Sequence, residues 1–156
     1  MDFKDAINIV TAELTPQPWD YTSSDGTTLR VTPAGLTADL GDAEVLVRIT
    51  RSDATGLGEF GITGPDSRGV AEVGVTTTDL PKVIKALNER GWWADNTLVS
   101  GALLVAAASG GVVVGVTENH AAGQHVDVGM VLPESQRLPL ASALDRALDV
   151  ARSWEC

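Results

Sequence analysis

The chain has 156 residues, 44 % of them hydrophobic and 21 % charged, and a net charge of −10 at pH 7. That length supports one domain with a substantial core. The acidic balance disfavours nonspecific binding to DNA, RNA or anionic membranes, which requires basic surface, and makes a basic protein partner the electrostatically favoured one.

Residues 2–14 read as an amphipathic helix, with Phe3, Ile7, Val10 and Leu14 at helical spacing and Asp2 as its cap. Pro16 and Pro18 end it. Trp19 and Tyr21 follow in a loop that Ser23-Ser24-Asp25-Gly26 closes as a turn. This aromatic pair either covers an edge of the core or meets a partner.

From Thr27 the period changes to two. Residues 29–32 and 36–40 form short strands separated by Pro33-Ala34-Gly35. Val45, Val47 and Ile49 share a face, as do Phe60 and Ile62, and then Ala71, Val73 and Val75. Residues 43–77 thus read as a three-stranded antiparallel meander. Thr78 or Asp79 caps a helix carrying Leu80, Val83, Ile84 and Leu87 on one stripe, with Gly91 as its stop. Trp92-Trp93 comes next. In an extended segment neighbours point to opposite sides, so one of the two is a candidate exposed anchor.

Residues 96–117 carry no charge, which raises the question of a membrane span. Gly110-Gly111 in the middle, the Val-rich run after it and the absence of flanking basic clusters favour a buried hairpin instead. Its strands would be 102–108 and 112–117, buried on both faces. A buried helix over 97–108 is the other soluble reading, because short apolar runs do not separate the two by period. Val126, Val128 and Met130 then alternate as a strand. A last helix puts Leu140, Leu144, Ala147, Leu148, Ala151 and Trp154 on one face.

Val73-Gly74-Val75, Leu80-Pro81 and Ala86-Leu87 recur as Val128-Gly129-Met130, Leu138-Pro139 and Ala143-Leu144. The chain therefore reads as one α+β domain of two similar strand-then-helix units, about 43–91 and 97–154. The expected fold is one twisted antiparallel β-sheet with an N-terminal, a central and a C-terminal helix packed against it.

Chemistry-bearing motifs are sparse. His120 and His125, with Glu118 and Asp127, flank one loop and are weak metal candidates; their spacing matches no known site, so no metal is assigned. Gly56-Leu57-Gly58-Glu59-Phe60-Gly61 lacks the helix that a dinucleotide fingerprint opens. No activated nucleophile or phosphate loop is present, so neither a catalytic residue nor a cofactor is assigned. Cys156 stands alone, which excludes an intramolecular disulfide. With no basic region before an apolar segment at Met1-Asp2-Phe3-Lys4-Asp5, a cytoplasmic protein is expected. Arg outnumbers Lys eight to three, a bias of high-GC genomes such as those of actinobacteria and their phages.

The stretch Val73-Gly74-Val75-Thr76-Thr77-Thr78-Asp79-Leu80-Pro81-Lys82-Val83-Ile84-Lys85-Ala86-Leu87-Asn88, with the terminal helix over 138–154, resembles the type III secretion chaperone-like superfamily and its YbjN-like relatives. That resemblance implies a nonenzymatic protein that binds a protein partner, often as a homodimer. The expected function is accordingly that of a chaperone-like adaptor or small inhibitor, with Trp92, Trp93, Trp19 and Tyr21 as partner-binding candidates. A structural or regulatory homo-oligomer, a small-ligand-binding protein and an enzyme are the alternatives.

Overall fold

The structure is a computed structural model, and it describes residues 18–36, 43–51, 69–98 and 101–155. The expected N-terminal helix and the strand at Phe60 and Ile62 lie outside the described residues, as does the glycine-rich run 56–61. The remaining α+β elements form two antiparallel sheets of four strands each, in place of the single sheet expected.

The first sheet comprises β1 (Trp19–Thr22), β2 (Thr28–Leu36), β3 (Ala43–Thr50) and β4 (Val70–Thr76), each paired with the next. Helix α1 (Leu80–Asn88) follows. The second sheet repeats the order with β5 (Trp92–Leu98), β6 (Gly101–Ala108), β7 (Gly111–Asn119) and β8 (His125–Pro133), followed by α2 (Arg137–Ser153).

Period-two patterning builds both sheets. In the first, Leu29, Val31, Val45, Val47, Ile49, Ala71, Val73 and Val75 share one buried face, while Arg30 and Arg48 point out. In the second, Leu103, Val105, Val112, Val114, Val116, Val128, Met130 and Leu132 are buried. The two inner faces meet in one core, and β4 touches all four strands of the second sheet. A single sheet would have left the far side of each apolar face for helices to cover. Here each sheet covers the other, and α2 closes over β2 and β3 while packing on α1.

Several local expectations change. Trp19 and Tyr21 lie in strand β1, opposite Val31 and Leu29, and pack half-buried against the core. A four-residue alternation is too short to announce itself as a strand. Pro33 sits within β2 and does not end it. The Ser23 N–H to Thr27 C=O bond shows that odd-numbered residues of β2 face β1, whose pairing stops at Trp19 and Val31. The N–H that Pro33 lacks therefore points to where the described β1 has already ended, a place where strands tolerate proline. β3 pairs directly with β4, Val47 opposite Val73, so no third strand lies between them. At the end of α1 the left-handed residue is Arg90 (φ 54°), one before the expected Gly91.

The uncharged stretch is strand, turn, strand. β6 and β7 pair from Gly101–Glu118 to Ala108–Gly111, which removes the helix alternative. No helix among the described residues is long and apolar enough to cross a membrane.

On the outer face of the first sheet, Glu44 rests its carboxyl over Gly74, where a Cβ would displace it. Burial, and then repulsion from Glu72, push its pKa above the ordinary 4.5. A raised folded-state carboxyl pKa means that stability falls as pH rises past the unfolded value. Glu44→Gln is therefore expected to stabilise at pH 7 by at most about 0.5 kcal/mol, the group being only partly buried. The gain should vanish below about pH 4, where both states are protonated. Urea midpoints at the two pH values check this; an equal gain at both would sink the electrostatic account.

Candidate functional site

The outer face of the second sheet is uncovered by any described element. Its side chains fall into cross-strand rows: Trp92–Ala106–Val113–Val131, then Ala94–Leu104–Gly115–Gly129, then Ala102–Thr117–Asp127. Strand spacing makes this patch roughly 14 Å on a side. Trp92 is 72 % exposed, Val131 59 % and Leu104 38 %. Three of the four exposed large hydrophobic residues of the described chain are thus gathered on one face, with Leu138 the exception. Scattered singly they would mean little; side by side they mark an interaction surface.

The adjoining Gly115 and Gly129 carry no side chains, so the middle of the face sinks into a groove of about 550 Å³. Ala94, Leu104, Thr117 and Asp127 line it. At one end Thr117 Oγ1 donates to Asp127 Oδ1 at 2.5 Å, and His125 Nε2 lies 3.2 Å from Asp127 Oδ2. The three rows hold no Lys or Arg.

Alternation separates the tryptophan pair. Trp92 projects from this face, whereas Trp93, opposite Val105, is half-buried against the core. Trp19 and Tyr21 belong to the inner side of the other sheet, far from this row in the topology. The four aromatic candidates therefore do not converge.

The histidines do not converge on one ion either. His120 Nε2 lies 2.7 Å from Glu118 Oε2 and makes no hydrogen bond. Glu118 Oε1 is already occupied, accepting the Glu72 N–H at 3.0 Å. Each histidine keeps its own carboxylate, and no group of three His, Cys, Asp or Glu able to hold a metal occurs among the described residues.

Leu104, Val113 and Val131 were not legible as site residues. The signal was present: in 102–108 and 112–117 both alternate sets are apolar. Such a run fits burial on both faces as well as one buried and one open face, and only the second is found.

No known protein family matches the sequence, and no curated protein does. Solved structures do. The chain shares its fold with the plant transcriptional regulator PBF-2. The TM-score is 0.59 at 13 % identity, over 90 % of this chain and 84 % of that one. WHY3 from Arabidopsis thaliana is similar over 90 % of this chain and 89 % of that one, with TM-score 0.56 and 12 % identity. MRP1/MRP2 of Trypanosoma bruciei is similar over 86 % and 93 %, with TM-score 0.55 and 17 % identity.

At such identities the likeness establishes fold. It overturns the resemblance to secretion chaperones, whose expected single sheet is absent. The expectations drawn from that resemblance, a chaperone-like adaptor or small inhibitor with a protein client, fall with it. So does the expectation of no nucleic-acid partner, which took net charge as decisive, since a protein of the same fold is named as a transcriptional regulator. The neighbour whose role its name states is a regulator, which agrees with the nonenzymatic expectation.

Proposed function

We propose that this chain is a nonenzymatic regulatory protein that binds single-stranded nucleic acid on the open face of its second sheet. The observation that carries the proposal is Trp92, 72 % exposed beside a grooved, largely apolar sheet face on a fold shared with a protein named as a transcriptional regulator. Exposed aromatics bind single strands by stacking on bases, each stack worth about 1–3 kcal/mol and tolerant of sequence. A duplex hides its base faces and offers mainly phosphate, for which a chain of net charge −10 is poorly suited. Trp92 is the stacking anchor in this proposal, and Leu104 and Val131 are the apolar floor. We also keep as part of it a single domain of two similar strand-then-helix units.

The test is titration of a labelled pyrimidine oligonucleotide, single-stranded and then annealed, followed by anisotropy and tryptophan fluorescence. Single strand should bind in preference to duplex and quench the fluorescence. Trp92→Ala should weaken binding about tenfold and remove most of the quench. With few phosphates neutralised, the salt dependence should be shallow, a log–log slope smaller in size than about 2. Equal binding of both forms, binding of neither at low salt, or full affinity in Trp92→Ala would each defeat the proposal.

A further inference from the structure

Strand β8 ends the second sheet, and its free side differs from every other sheet edge in the described residues. β1 is guarded by brevity, with four residues. β4 is covered: Arg51 N–H bonds Gly69 C=O, so odd-numbered residues of β4 face β3, and the outward N–H of Glu72 is taken by Glu118 Oε1. β5 is broken by a register shift between Asp95 and Leu98. β8 pairs with β7 over nine successive residues without a shift. Natural edges are shortened, bulged, charged or covered to prevent strand pairing. β8 shows only one charged residue, Asp127, between His125 and Glu134.

The direction of its backbone groups follows from the two ends of the strand. His120 N–H bonds Gln124 C=O, and Glu134 N–H bonds Gly110 C=O. Even-numbered residues therefore bond toward β7. His125, Asp127, Gly129 and Val131 turn their N–H groups away from the sheet, and no described strand lies alongside them.

We propose that two copies of this chain pair through β8, antiparallel about a two-fold axis near Gly129, so that their second sheets join. Such an edge is self-complementary, as a two-fold interface requires. Centring on Gly129 sets two residues without side chains face to face. It also sets Asp127 of each copy opposite Val131 of the other, which keeps the two carboxylates roughly 14 Å apart along the strands. That exceeds the screening length of about 10 Å at 0.1 M salt. Pro133, which has no N–H, falls at the end of the ladder, opposite His125 of the second copy. The consequence is a single apolar surface twice as wide, with Trp92 at either rim. This pairing does not rest on nucleic-acid binding and is read by mass alone.

Light scattering on the eluting full chain should give twice 16.3 kDa. Val131→Asp places like charges across both ends of the pairing, and the dimer dissociation constant should rise about tenfold or more. Val131→Lys places Lys opposite Asp and should leave the dimer intact. Gly129→Pro removes the central outward N–H and should yield monomer. Leu104→Lys, on the same face but an inner strand, should leave the mass unchanged. A wild-type monomer at about 100 μM overturns the proposal, that concentration being far above the micromolar constants of ordinary association. An assembly that both Val131→Asp and Gly129→Pro leave whole, or one that Val131→Lys splits as readily as Val131→Asp, overturns it too. Should Gly129→Pro fail to fold, the two exchanges at exposed Val131 decide the matter.

Discussion

Gly111→Ala is expected to cost more than about 4 kcal/mol and to abolish a cooperative unfolding transition, although it adds one methyl group. Gly111 opens β7 beside the end of β8, and a Cβ there would overlap the Leu132 carbonyl oxygen. The obstacle is backbone, held by the β7–β8 ladder and by Leu132, which is fully buried. It has no flexible end to swing aside. Gly110, one residue earlier, provides the control. Its φ is 81° and nothing lies within 4 Å of its Cβ position. Gly110→Ala should therefore cost only the left-handed conformation, about 1–2 kcal/mol. Urea unfolding followed by circular dichroism reads both values. If the two substitutions cost the same, the close approach of β7 to β8 is wrong.

Arg137→Ala should cost about 3 kcal/mol, from a residue with no part in the proposed site. Its guanidinium is buried where α1, β8 and α2 meet. Nη1 donates to Leu87 O at 2.7 Å and to Asn88 O at 3.4 Å, and Nε donates to Glu134 Oε1 at 2.8 Å. The last carbonyls of α1 have no partners within the helix, and the dipole favours a cation there. One side chain thus caps α1, fixes the start of α2 and holds the end of β8. Arg90 reaches the same Glu134 oxygen at 2.9 Å. The Arg137 hydrogen bond, and then the charges of Arg137 and Arg90, hold the Glu134 carboxyl below its ordinary 4.5. A depressed carboxylate pKa means that this support is present above pH 4.5 and lost as pH falls through the lower, folded value. Arg137→Lys keeps the charge and loses the fork, so it should recover only part of the stability. A midpoint for Arg137→Ala within about 0.5 kcal/mol of wild type would mean that the clamp contributes nothing, a shift no larger than that of an ordinary surface change.

What could be read in advance was local. The α1 stripe of Leu80, Val83 and Leu87 and the α2 face of Leu140, Leu144, Leu148 and Ala151 are buried as their period requires. The turn at Ser109-Gly110 and the strands on either side of it lie where glycine and the valine run place them. The Arg137 clamp was hidden, because its partners Leu87 and Asn88 are about fifty positions away and are backbone oxygens, which carry no sequence signature. The secretion-chaperone likeness failed for a related reason. A strand running into a Leu-Pro helix is a local unit shared by unrelated folds, and it does not specify how many sheets the strands form.

The uncharged stretch over 96–117 divides the two kinds of information. Its glycines and its valine run favoured a hairpin over a buried helix, and its lack of charge called for burial, since those depend on neighbours in the chain; the pairing of β6 with β7 settled the hairpin. Whether the other face is buried depends on what packs above it. Here α2 lies over β2 and β3, and the first sheet takes the inner face of the second. Ala94, Leu104, Gly115 and Val131 are left open beside Trp92. Apolar side chains are the same residues whether covered or bare, so only the tertiary arrangement could turn this stretch from scaffold into surface.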